Sequence, residues 1–193
     1  GSPATAAVGT YPITASNATG TGLANYTITY NNGTLTVNPA ALTITANNAS
    51  KTYGATASLT QFTATGLVNS DAVSAVTLSS TGSSVTAAVG TYPITASNAT
   101  GTGLGNYTIT YNNGTLTVNP AALTITANNA SKTYGATASL SNFTATGIVN
   151  SDTVSAVTIS STGSPATAAV GTYPITASNA TGTGLGNYTI TYN

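Results

Sequence analysis

The 193-residue chain contains no Cys, His, Met or Trp. Without Cys there are neither disulfides nor thiolate metal sites. Charge is scarce too: Lys51, Lys132, Asp71 and Asp152 make up the whole charged set, 2% of residues, against about one-quarter in an ordinary soluble domain. One Asp per repeat cannot build the carboxylate cluster that calcium needs, and two lysines do not make a basic patch for nucleic acid. Catalysis lacks its parts as well, since the chain offers no general base, thiol or metal cluster. The glycine run Gly101-Thr102-Gly103-Leu104-Gly105 has neither the Lys nor the strand-to-helix context of a nucleotide loop. No apolar run approaches the roughly 18 residues of a spanning helix. The sequence therefore predicts no enzyme activity, no cofactor, no metal site, no nucleic-acid partner and no membrane span in this segment.

What is present is repetition. Gly9-Thr10-Tyr11-Pro12-Ile13 returns as Gly90-Thr91-Tyr92-Pro93-Ile94 and again at Gly171-Thr172-Tyr173-Pro174-Ile175, a period of 81 residues (90 − 9). A fixed period of this kind marks an array of similar units. Val, Ile, Thr and Tyr are abundant and the net charge is zero, which is the opposite of a disordered composition. One active site would give no reason to present the same surface at every step, whereas a stalk or filament would.

Period-two alternation predicts strands at Leu42 to Ala46, Phe62 to Thr65, Val73 to Leu78 and Tyr92 to Ala96, with Gly, Asn and Ser clusters between them. A one-turn helix is the most that Val68 to Val73 allows. Tyr26 to Val37, repeated from Tyr107 to Val118, reads as a hairpin closed by Asn32-Gly33, with Tyr30 opposite Leu35 and Ile28 opposite Val37. Six or seven short strands per repeat predict an all-β fold: tandem small antiparallel β-sandwich (Ig-like) domains in a linear array, with β-grasp-like units as the alternative. The expected core includes Leu42, Ile44, Tyr53, Phe62, Tyr92, Ile94, Tyr107, Ile109, Leu116 and Val118.

Several strings then occur in order: Leu42-Thr43-Ile44-Thr45-Ala46, Lys51-Thr52-Tyr53-Gly54, Gly66 to Asp71, Val89-Gly90-Thr91-Tyr92, Asn106-Tyr107 and Gly114 to Val118. Together they resemble the YGX-type MBG domain. The resemblance implies tandem repeats of a large bacterial surface or secreted protein of adhesin-like kind. It also implies a register in which residues 1–39 are the C-terminal half of a repeat, 40–120 a complete repeat and 121–193 a repeat lacking its final strand. Ser70 and Ser151 depart from the family, which usually has Gly before Asp. The expectation is a structural, extracellular or cell-surface segment, a stalk or filament body.

The expected partners are neighbouring repeats of the same chain. Two alternatives stand beside this reading: self-assembly with other copies through β-strand addition, and binding of cell-surface glycans by Tyr53, Tyr92, Tyr107 and Tyr111. The candidate site residues are few. Lys51 with Asp71, and Lys132 with Asp152, are candidates for a structural ion pair; the sharper alternative is an isopeptide bond from Lys51 to an Asn, with Asp71 shuttling the proton. Asn38-Pro39 and Asn119-Pro120 are the expected joints between repeats, stiffened by proline.

Overall fold

A computed structural model describes residues 3–193. It is all-β, and its helices are four single turns of three residues, at Leu23–Asn25, Thr81–Ser83, Leu104–Asn106 and Leu185–Asn187. Among the described residues no helix is long and apolar enough to cross a membrane. The strands are β1 (Gly9–Ile13), β2 (Gly33–Val37), β3 (Ala40–Ala46), β4 (Ala49–Thr52), β5 (Phe62–Thr65), β6 (Ala72–Ser79) and β7 (Gly90–Thr102). They continue as β8 (Tyr107–Asn112), β9 (Gly114–Asn119), β10 (Ala121–Ala127), β11 (Phe143–Thr146), β12 (Thr153–Ser160), β13 (Thr176–Thr183) and β14 (Tyr188–Tyr192). The sheets are small and rich in antiparallel pairs, as a β-sandwich-like repeat array requires, with parallel pairing added at β3/β8, β4/β9 and β10/β14.

The chain folds as two compact units. Of the described residues, the first takes 3–47, 60–78 and 95–113. Here β1 pairs antiparallel with β2, and β3 is flanked by β5 antiparallel and β8 parallel. Alternation along β3 sends Leu42, Ile44 and Ala46 inward, all at most 2% exposed. The second unit takes residues 48–59, 79–94 and 114–193. In it β9 lies between β4, parallel, and residues 90–94 of β7, antiparallel. β10 is likewise flanked by β11 and β14, and β12 pairs with β13 across two register shifts. Its core joins Tyr53 and Val118 from the second copy of the repeat to Leu123, Ile125, Ala177 and Tyr188 from the third, so a single core crosses the repeat boundary.

The expected hairpin is corrected. β8 bonds to β3 while β9 bonds to β4 and β7, so Asn113-Gly114 links strands of different sheets and closes no hairpin. Neither residue, nor Asn32 or Gly33, has the positive φ that a type I′ turn demands. An Asn-Gly dipeptide permits that turn without compelling it, and here each flanking strand buries its apolar face against other strands. The single helical turn that was the most Val68 to Val73 allowed is not used. The chain turns there through Asn69 (φ 55°) and Ser70 (φ 61°), and the Asp71 amide donates to the Val68 carbonyl at 3.0 Å, which is a type I′ turn.

Candidate functional site

The most constrained polar cluster lies where consecutive copies of the repeat meet inside the second unit. The type I′ turn recurs at Asn150 (φ 56°) and Ser151 (φ 62°) and aims Asp152 at the start of β14. The Tyr188 hydroxyl donates to Asp152 Oδ2 at 2.8 Å and accepts from the Val149 amide at 3.0 Å. From the preceding copy, the Tyr53 hydroxyl donates to the same oxygen at 2.9 Å. The two rings meet edge to face, with centroids 5.6 Å apart and planes at 81°, an arrangement aromatic quadrupoles favour. One carboxylate oxygen thus ties two repeats together through two phenols.

Glycines make room for this clamp. Gly184, at φ 73°, lies so close to the Asp152 carboxylate that a Cβ there would overlap it. Gly54, at φ 86°, lets Val149 pack against the backbone, where a Cβ would stand 2.6 Å from the valine Cγ2. Side-chain to backbone bonds complete the seam: Asn187 accepts from the Val89 amide at 2.9 Å, and Asn150 donates to the Val85 carbonyl at 2.8 Å. The first unit repeats these contacts at positions 81 lower. There Asn106 accepts from the Val8 amide at 2.9 Å, Asn69 donates to the Ala4 carbonyl at 3.0 Å, and Tyr107 donates to Asp71 at 2.9 Å.

Burial raises the pKa of the Tyr188 hydroxyl; the Val149 amide opposes this, and Asp152 and Tyr53 reinforce it. At Tyr107 the Val68 hydrogen bond pulls down, but burial and the neighbouring Asp71 outweigh it and the net shift is again upward. In both cases the neutral phenol is the form the site holds.

The hydrogen bonds of the four charged side chains run to backbone oxygens and to phenols. Lys51 is 7% exposed and donates to the carbonyls of Ala55, at 2.9 Å, and Ser84. Lys132 donates to the carbonyls of Ala136 and Pro165, at 3.0 and 2.6 Å, and Asp152 takes tyrosines instead. Each lysine closes a loop by satisfying backbone oxygens, and each aspartate is taken up by phenols. Burial lowers the Lys51 pKa.

The prolines read as joints lie in short connections between strands. Pro120 alone separates β9 from β10, and the Asn119 carbonyl accepts from the Tyr53 amide at 2.8 Å; Asn38 and Pro39 occupy the same place between β2 and β3. Of the tyrosines considered as glycan platforms, Tyr53 and Tyr107 are 6% and 8% exposed, with their ring faces covered. The reading of charges and prolines missed Tyr53, Tyr188, Asn150 and Asn187, which carry the seam. Their signal was the coincidence of Tyr53-Gly54 with Asn69 to Asp71 and Asn106-Tyr107 at constant offsets in successive repeats.

Neither curated proteins nor solved structures yield a match to this chain. The family profile described as MBG domain (YGX type) matches residues 2–36, 42–117 and 123–193. Tyr53-Gly54-Ala55 stands where that description has its Tyr-Gly-X, and the structure gives both named residues a task at the seam. The chain belongs to the YGX-type MBG domain family, as a tandem run of its repeats.

Proposed function

We propose that this run of MBG repeats is a structural spacer, the stalk or filament body of an extracellular, adhesin-like bacterial protein, without catalytic activity. The observation that carries the reading is the recurrence of one seam: Val8 to Asn106 and Val89 to Asn187 are the same bond one period apart, both at 2.9 Å. Repeats that dock through a built interface transmit load, whereas repeats on slack tethers do not. The single proline between β9 and β10 supports the same reading, because a one-residue link leaves little freedom at the boundary.

Single-molecule pulling of a protein of four joined repeats tests the proposal. Each unfolding event should release about 270 Å of contour, from 81 residues at about 3.3 Å each. A force trace without regularly spaced steps would sink the spacer reading.

A further inference from the structure

Tyrosine is the one readily oxidised side chain in this composition, since the chain has eleven Tyr and no Cys, Met, Trp or His. The usual sinks for oxidation, Cys and Met, are missing, so an electron taken from the chain leaves its vacancy on a tyrosine. Two tyrosines are placed to use it. Among the described residues, Tyr53 and Tyr188 are the pair whose rings meet, with centroids 5.6 Å apart, and both hydroxyls donate to Asp152 Oδ2, at 2.9 and 2.8 Å. They come from successive copies of the repeat and sit 6% and 8% exposed in one core. Other hydroxyls are engaged differently: Tyr92 donates to the Ala88 carbonyl at 2.9 Å, and Tyr111 accepts from the Ala99 amide at 2.9 Å.

We propose that Tyr53 and Tyr188 are a covalent crosslinking site, a dityrosine staple between repeats that is closed by a one-electron oxidant, such as the high-valent haem of a peroxidase, with Asp152 as proton acceptor. A phenol bonded to a carboxylate yields its electron readily, because the proton passes to the waiting oxygen as the electron leaves. Each phenol gives one electron to the oxidant and one proton, by way of Asp152, to water. The two phenoxyl radicals then join through a carbon–carbon bond between the ring positions beside the oxygens. The hydrogens on those carbons shift to the oxygens and restore both phenols. Two electrons and two protons are lost in all, and two equivalents of the oxidant take up the electrons.

The fold supplies what this coupling needs. Rings already in contact replace a diffusional encounter of two radicals by a step within one core. Burial keeps each radical from reacting elsewhere. The staple encloses 135 residues (188 − 53), so load at the seam falls on a covalent bond where hydrogen bonds carried it before. The site goes beyond the spacer reading and stands without it, since the link is read from masses and not from pulling.

The two lysines make the test direct. Trypsin cuts only after Lys51 and Lys132, which puts Tyr53 in fragment 52–132 and Tyr188 in fragment 133–193. The dilute chain is oxidised with photoactivated tris(bipyridyl)ruthenium and persulfate, then unfolded and digested. The expected result is dityrosine fluorescence and the two fragments joined, at their summed mass less two hydrogens, with fragment spectra placing the bond at Tyr53 and Tyr188. Tyr53→Phe or Tyr188→Phe, which keep both rings, should abolish the joined species, and Tyr134→Phe should leave it. Oxidation in urea should erase the preference for this pair. Asp152→Asn, which keeps an acceptor oxygen without its basicity, should slow joining by about 100-fold at limiting oxidant. Fragments that separate fully, or joining that survives either variant of the pair, overturn the proposal. Joining at an unchanged rate in Asp152→Asn overturns the carboxylate as proton acceptor.

Discussion

At the residue scale, Asp152 Oδ2 is the atom on which the seam turns, because it accepts from both Tyr188 and Tyr53. Tyr188→Phe or Tyr53→Phe removes one charge-assisted bond and should cost about 1–3 kcal/mol of unfolding free energy in urea titration. The double variant should cost more than the sum, since either phenol alone still serves the shared acceptor and only the loss of both strips it of these bonds. Ser151 occupies a left-handed conformation that glycine adopts without strain, so Ser151→Gly should stabilise the chain by about 0.5–1 kcal/mol in the same measurement. The raised Tyr188 pKa fixes a pH dependence: its stabilisation is complete below pH 10.0, the ordinary value, and is lost as pH rises through the higher folded value. Lys51 works in the opposite sense, since its lowered pKa makes folding gain as pH rises from the folded value toward 10.5. Urea midpoints followed from pH 8 to 12 should therefore fall less steeply at the alkaline end in Tyr188→Phe than in the parent chain.

At the scale of elements, equal sequences have unequal fates. β2 and the first five residues of β9 read Gly-Thr-Leu-Thr-Val alike, but β9 is bonded on both edges and β2 on one. Leu116→Ala should then cost about 2–5 kcal/mol, the usual range for a fully buried leucine, while Leu35→Ala should cost well under half of that. Parallel urea titrations of the two variants check this, and equal losses would contradict the topology. Strand positions were legible because alternation shows which residues point inward: Phe62 to Thr65 is β5 as read, and Leu42 to Ala46 lies within β3. Strand partners were not legible. Asn32-Gly33 and Asn113-Gly114 suggested a hairpin on local grounds, and long-range pairing to β1, β3, β4 and β7 overrode it.

For the whole molecule, cooperativity should follow the compact units, which draw on successive copies of the repeat, and should cross the repeat boundaries. Hydrogen exchange offers the check: Tyr53→Ala should speed exchange at β4, at residues 84–89 and at the turn of residues 149–152 together, leaving β3 and β5 unchanged. Acceleration confined to β4 would mean that the seam does not couple the repeats. The amino-acid sequence by itself determined the period, the all-β class, the family and the inward face of each strand, because these depend on spacing and residue type along the chain. Only the tertiary structure decided which strands pair, that Asp152 takes tyrosine hydroxyls while Lys132 takes backbone carbonyls, and that Tyr53 is buried while Tyr134 is exposed. The physical reason is that identical segments differ solely in what packs against them, and burial, pKa and hydrogen bonding all belong to that neighbour, which no local pattern encodes.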